Sequence, residues 1–159
     1  MSLEMNGTLV ECLKGKRRVC LDTTVLIYFV EQNAKYISIV DPLFTHLVNA
    51  NLPAITSYLT LLEVMVGPLR SGQHKIACQY REILLNTRNL RLFPLEQTIA
   101  EQAAEIKARF NVFKTPDCIQ LATAVREQAD VFVTNDFQLK RFTDVEVLVL
   151  DDFVLSGQA

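Results

Sequence analysis

Apolar residues along this chain come in short runs of three to five, alternating with longer stretches in which they return every three or four positions. The first pattern marks buried strands and the second marks one face of a helix. Arg18-Val19-Cys20-Leu21 is such a run and ends at Asp22, and Val25-Leu26-Ile27-Tyr28-Phe29 follows at once. Strand therefore gives way to helix through a turn at Asp22-Thr23-Thr24. Ile39, Leu43, Leu47 and Ala50 predict a second helix from about Tyr36 to Asn49, with Pro42 in its first turns, where proline is tolerated. Pro53-Ala54-Ile55-Thr56 predicts a brief strand. Ser57 is the expected N-cap of a helix that runs to about Val66 and stops at Gly67-Pro68.

A further helix follows Gly72, and Leu90-Arg91-Leu92-Phe93 reads as a strand stopped by Pro94. From there Leu95, Ile99, Ala103, Ile106 and Phe110 mark one face of a long amphipathic helix. Thr115-Pro116-Asp117 predicts the next helix start, with Thr115 as cap, proline at the first helical position and an acid in the first turn. This helix should end near Gln128. Val131-Phe132-Val133 is a strand with Thr134-Asn135-Asp136 as its loop, and Val145 to Leu150 the last strand. Strands alternating with helices predict an α/β fold, a central, mainly parallel sheet of about four to five strands with helices on both faces.

Composition narrows this picture. With 159 residues, half of them apolar, and neither linker nor repeat, the chain predicts a single domain over 1–159 with a core of about 18–150. Met1-Ser2-Leu3 is given no structural weight. A net charge of -2 argues neither for nor against nucleic acid. Basic residues gather at Lys14, Lys16, Arg17 and Arg18 and at Lys140 and Arg141; each cluster taken alone reads as solvated surface, and a place near the sheet edge would let Lys14, Arg17, Arg18, Lys140 and Arg141 contact phosphates. Cys12, Cys20, Cys78 and Cys118 have no C-x-x-C spacing and no secretory leader before them, so reduced, mostly buried thiols in a cytoplasmic protein are expected. The uncharged stretch from Pro42 to Leu62 contains His46, Asn49, Asn51, Pro53 and Ser57, and reads as a loop between soluble elements, not as a membrane span.

Four acids fall outside what composition explains. Asp22 is the only charge between Arg18 and Glu31, Glu63 between Asp41 and Arg70, Asp117 between Lys114 and Arg126, and Asp136 between Asp130 and Lys140. An acid in such surroundings is partly desolvated, which is costly without compensation. Each also has a plain structural reading. Glu63 would be an edge residue or half of a buried salt bridge, Asp117 a helix-start acid, and Asp22 and Asp136 turn residues.

Topology favours a shared site. Ligands of an open parallel sheet bind beyond the carboxyl ends of its strands. Asp22 and Asp136 follow strands directly, Asp117 opens a helix, and Glu63 lies about two turns beyond a strand. Carboxylates gathered there repel unless a cation neutralises them, and an all-oxygen set suits Mg²⁺ or Mn²⁺. There is no P-loop and no G-x-S-x-G, and neither His46 nor His74 stands beside a candidate nucleophile. Metal-activated water attacking a phosphodiester needs only the acids.

The same residues carry a family resemblance. Leu21-Asp22-Thr23-Thr24-Val25-Leu26-Ile27, Leu61-Leu62-Glu63-Val64, the segment Asp117-Cys118-Ile119-Gln120-Leu121-Ala122-Thr123-Ala124, and Val133-Thr134-Asn135-Asp136 with Leu139 resemble the successive motifs of PIN-domain ribonucleases. The resemblance runs from about Val19 to Leu150 and points to the small VapC-like toxins of toxin–antitoxin pairs. It implies that Asp22, Glu63, Asp117 and Asp136 hold Mg²⁺ or Mn²⁺ and that Thr134 supports them by hydrogen bonding. It also implies RNA as substrate, a homodimer and a cognate antitoxin that occludes the acidic groove. Thr24 departs from the asparagine or serine of many members, and its hydroxyl is expected to reach Asp22.

The reading that results is a Mg²⁺- or Mn²⁺-dependent endoribonuclease, the toxin of such a pair. Two alternatives compete with it. One is a catalytically silent PIN-like module that binds RNA or protein, although such modules usually lose one of the acids. The other is a phosphatase with an aspartate nucleophile at Asp22, although Thr24 occupies the place where that class wants a second acid.

Overall fold

A computed structural model describes residues 7–154. Met1-Ser2-Leu3 lies outside them. The first described element is a short helix that the apolar pattern did not announce, α1 (Leu9–Leu13), whose cap is Thr8 with its hydroxyl accepting from Glu11 N. β1 (Val19–Leu21) then leads into α2 (Thr23–Val30) and α3 (Ile37–Asn49). β2 (Ala54–Ser57) leads into α4 (Tyr58–Arg70), and α5 (His74–Asn86) into β3 (Leu90–Phe93). α6 (Gln97–Arg109) and α7 (Thr115–Arg126) precede β4 (Val131–Thr134), a 3₁₀ turn (Phe137–Arg141), β5 (Glu146–Val149) and a final 3₁₀ turn (Leu150–Phe153).

Where the boundaries depart from the sequence reading, local chemistry gives the reason. Ser57 does cap α4, accepting from Leu59 N at 3.0 Å. The helix does not stop at Gly67-Pro68, because Pro68 removes only one intrahelical donor and is buried within the helix. It ends one turn later, where Gly72 takes φ +72 and Gly72 N and Gln73 N reach back to Leu69 O and Pro68 O, closing the last turn through a left-handed glycine. Pro42 sits at the sixth helical position of α3, within its first two turns as expected. The stretch from Pro42 to Leu62 is no loop, since it holds most of α3, all of β2 and the first turn of α4. α6 begins at Gln97, leaving Leu95 56 % exposed. Lys114, not Thr115, is the N-cap of α7, which puts Pro116 second and Asp117 third in the helix.

All five strands are parallel, in the order β3-β2-β1-β4-β5. Both faces are buried, and the pleat assigns side chains to them alternately. Val19, Leu21, Val131 and Val133 enter one core with α1, α2, α3 and Val64 of α4. Cys20, Ile55 and Phe132 enter the other with Ile99, Ala103 and Ile106 of α6 and Cys118, Leu121 and Ala122 of α7. Cys20 stands level with Ile55 on one side and Phe132 on the other, so the second core is continuous across three strands. Of the cysteines, Cys20 and Cys118 are buried but Cys78 is exposed, and none is in a disulfide. Among the described residues no helix is long and apolar enough to cross a membrane.

The strand order sets the site. The chain builds β1, β2 and β3 outward in one direction, then returns to lay β4 on the other side of β1. The crossovers therefore part above β1 and β4, leaving a crevice at their carboxyl ends. Asp22 is the first residue after β1, and Asp136 the second after β4.

Candidate metal centre

Asp22 caps α2. Its Oδ1 accepts from Thr23 N at 2.8 Å and its Oδ2 from the hydroxyl of Thr134 at 2.7 Å. The residue is only 8 % exposed, and burial pushes its carboxyl up to about 6, against the pull of those two donors and with a further push from the charges of Asp117 and Glu63. Two other acids are thus close enough to be felt at Asp22.

Glu63 lies in the second turn of α4, half-buried, and its Oε1 accepts from the hydroxyl of Thr23 at 2.9 Å. Asp117 is half-buried in the first turn of α7, where its Oδ2 accepts from Lys114 N at 3.1 Å. Burial raises its carboxyl above the usual range, and the charge of Asp136 raises it further. Asp136 itself is exposed and caps the 3₁₀ turn, accepting from Gln138 N at 3.0 Å. Its own N–H donates to Thr134 Oγ1 at 3.1 Å, so one threonine hydroxyl fastens both Asp22 and the loop of Asp136.

The four acids and Thr134 stand at the carboxyl edge of the sheet; Thr134 links Asp22 and the loop of Asp136 by hydrogen bonds, Thr23 links Asp22 and Glu63, and Asp117 is related to the others through charge alone. The ion pairs among the described residues involve none of these acids; they use Glu82, Asp130, Asp144, Glu146 and Asp152 instead. The salt-bridge reading of Glu63 therefore has no partner among the described residues. As they stand, no three His, Cys, Asp or Glu side chains among the described residues form a ready-made ligand set. The donors are nevertheless all carboxylate oxygens with no ion-pair partner among the described residues, which fits a hard divalent cation and not zinc or copper.

Two expectations are corrected. Asp22 draws its hydrogen bonds from Thr23 N and Thr134, not from the hydroxyl of Thr24. The basic residues from Lys14 to Arg18 precede β1 and so stand at the opposite end of the sheet, where Lys16 pairs with Glu146 and Arg17 with Asp130. Lys140 and Arg141, by contrast, close the 3₁₀ turn that Asp136 caps.

Beneath the acids lies a polar cluster that the sequence reading passed over. Thr23, Thr56, Thr60 and Gln120 are all buried. Thr60 Oγ1 lies 2.9 Å from Thr23 Oγ1 and 2.8 Å from Thr56 Oγ1, while Gln120 Nε2 donates to Thr60 at 2.8 Å and to Thr23 at 3.2 Å. A signal was available, because Thr60 and Glu63, and likewise Gln120 and Asp117, are three apart on a helix and share a face. A concavity of about 1170 Å³ between α1, α3 and the last 3₁₀ turn is lined by residues such as Leu9, Pro42 and Phe153 and by none of the four acids.

Comparison with known proteins agrees with this architecture. The model of the family described as PIN domain matches residues 19–145, well over half of the chain. No curated protein matches the sequence. Among solved structures, the fold is similar to VapBC2 from Rickettsia felis bound to a DNA fragment from its promoter, with a TM-score of 0.65 and 18 % identity over 83 % of this chain and 98 % of that one. A toxin–antitoxin complex from Klebsiella pneumoniae gives 0.60 and 21 % over 83 % and 97 %. The sarcin–ricin loop cleaving toxin VapC20 of Mycobacterium tuberculosis gives 0.61 and 18 % over 80 % and 98 %.

Proposed function

Because the chain belongs to the PIN-domain family, whose nucleases generally use divalent metal ions, we propose that it is a Mg²⁺- or Mn²⁺-dependent endoribonuclease. In this reading Asp22, Glu63, Asp117 and Asp136 hold the cation, Thr134 orients Asp22, and the domain spans 1–159. The observation that carries it is the buried carboxyl of Asp22, repelled by Asp117 and Glu63 and without a basic partner among the described residues. A cation there would turn a destabilising set of charges into a ligand set. When bound, the ion would supply a nucleophile from water at neutral pH and neutralise charge on the phosphate.

The residues around the acids suit a single-stranded polynucleotide. Phe137 directly follows Asp136 and is 71 % exposed, offering a face on which bases of any sequence can stack. Arg141 is exposed in the same turn, and Lys140 beside it is paired to Asp152 at 2.5 Å. The aspartate-nucleophile alternative is disfavoured, because Thr24 stands where a second acid is wanted.

The toxin assignment, a homodimer and a cognate antitoxin belong to the same proposal, and the likeness to toxin–antitoxin proteins supports the toxin and its antitoxin. The test is to strip the protein with chelator and offer single-stranded RNA beside a small phosphatase substrate, with and without Mg²⁺ or Mn²⁺. Cation-dependent RNA cleavage is expected. RNA bound but never cut would favour a silent module, and turnover of the small phosphate ester alone would overturn the assignment. A small, basic-tailed protein encoded in the adjacent reading frame, able to block cleavage, would identify the antitoxin.

A further inference from the structure

Gln120 is buried in α7 and makes more side-chain hydrogen bonds than packing requires. Its amide orientation follows from its neighbours. Ser57 N can only donate, and it meets Gln120 at 3.3 Å, so the atom facing it is the carbonyl oxygen. The nitrogen must then face Thr60 and Thr23, to which it gives its two protons at 2.8 and 3.2 Å. Thr23 has one hydroxyl proton. Its oxygen accepts from Gln120, and its proton goes to Glu63 Oε1 at 2.9 Å. This is the one hydrogen bond that Glu63 receives from a side chain among the described residues.

We propose that Gln120 is the positioning residue of the acidic site, fixing the Thr23 hydroxyl so that its proton stays on Glu63 and the Glu63 carboxylate is held in place for a divalent cation. The inference rests on the metal reading above. Without the two N–H groups of Gln120, Thr60 stays 2.9 Å from Thr23 and becomes a free acceptor for the same proton. Glu63 then loses its orientation although no ligand has been removed. Partners of this kind, one bond behind a ligand, typically change metal affinity by about 10- to 100-fold.

The test is Mn²⁺ affinity measured directly by titration calorimetry on the chelator-treated full chain, with melting temperature recorded in parallel. Gln120→Met keeps length and removes both donors, and should weaken Mn²⁺ by about tenfold or more while KM for RNA holds and kcat falls. Thr60→Val damages the same buried cluster but leaves the line from Gln120 through Thr23 to Glu63 intact, and should keep Mn²⁺ affinity within about twofold. Equal losses in these two variants would mean that general damage to the core is responsible, and would overturn the proposal. Adding Gln120→Met to Thr23→Val should cost nothing beyond Thr23→Val alone; additive losses would also overturn it. Should Gln120→Met fail to fold, Thr23→Ser against Thr23→Val carries the test, with serine retaining affinity, valine losing it, and equality contradicting the proposal. Wild-type protein that takes up no Mn²⁺ would overturn the metal reading and this inference together. Wild type that binds Mn²⁺ no better than Gln120→Met overturns this inference alone.

Discussion

The hydroxyl of Thr134 donates to Asp22 Oδ2 at 2.7 Å while its oxygen accepts the N–H of Asp136 at 3.1 Å, so a single buried side chain ties together the acids that follow the two central strands. Thr134→Val keeps the β-branched shape that suits the strand and deletes both bonds. It leaves Asp22 short of a donor and the Asp136 amide unpaired, at a cost of about 1–3 kcal/mol each at most. A denaturant melt should show valine destabilised and Thr134→Ser close to wild type. If valine and serine are equally stable, Thr134 is a packing residue only.

Glu63→Gln should abolish RNA cleavage and leave the metal-free fold intact. Glutamine keeps an oxygen that can accept from Thr23, preserves helix propensity, and removes one charge from a repelling group. Breaking a buried salt bridge would instead cost roughly 3–5 kcal/mol. Melting in chelator decides between them. In free Mg²⁺ at about 100 times its dissociation constant, wild type should gain roughly 2.7 kcal/mol, and the variant clearly less.

The pH dependence of stability carries its own sign. Burial pushes the Asp22 carboxyl up to about 6 in the folded chain, against an ordinary 3.8, so the folded state binds this proton more tightly than the unfolded one. The stability it contributes is present below pH ~4 and is lost as pH rises through about 6. The loss is about 3 kcal/mol by linkage, as an upper figure. Asp130 and Asp144, held down by Arg17 and Arg109, contribute with the opposite sign, so the comparison must be with Asp22→Asn across the same pH range. In chelator, wild type should lose ground to the variant between pH 4 and 7. A constant difference would show that Asp22 is not under this strain.

These predictions draw on features the sequence displayed unevenly. The alternation of strands and helices was legible because both faces of the sheet are covered, so β1 and the first three residues of β4 read as uninterrupted apolar runs. The acids were legible because each is the lone charge of its neighbourhood. What escaped was set by tertiary context. Pro68 breaks a helix only where its missing donor or its ring is not accommodated, and nothing in Gly67-Pro68 says that α4 accommodates it. Gln120 and Thr60 carry no charge, and their role appears only when α7 and α4 lie over β2 and bring them within 2.8 Å. The basic cluster before β1 was given to the wrong edge, because proximity in sequence to Asp22 spans the length of a strand.

RNA affinity should fall with added salt, and replacing Lys140 and Arg141 with alanine should flatten that dependence by up to about 1.4 in the log–log slope, at ~0.7 per phosphate contact on a single strand. Replacing Lys14 and Arg17 should leave it unchanged, since they stand at the far end of the sheet. Equal effects from the two pairs would mean that the polynucleotide does not lie over the acids.

The account rests on water, not a side chain or the ribose, attacking the phosphodiester at the four acids. The most direct measurement is the chemistry of the ends left when wild-type protein cuts a defined single-stranded RNA in Mn²⁺, with Glu63→Gln as the control. In-line attack by water expels the 3′ oxygen, so the downstream fragment should carry a 5′-phosphate and the upstream one a free 3′-hydroxyl, with no products from the control. Upstream fragments ending in 2′,3′-cyclic phosphate, or 5′-phosphate products that persist undiminished in Glu63→Gln, would contradict the account.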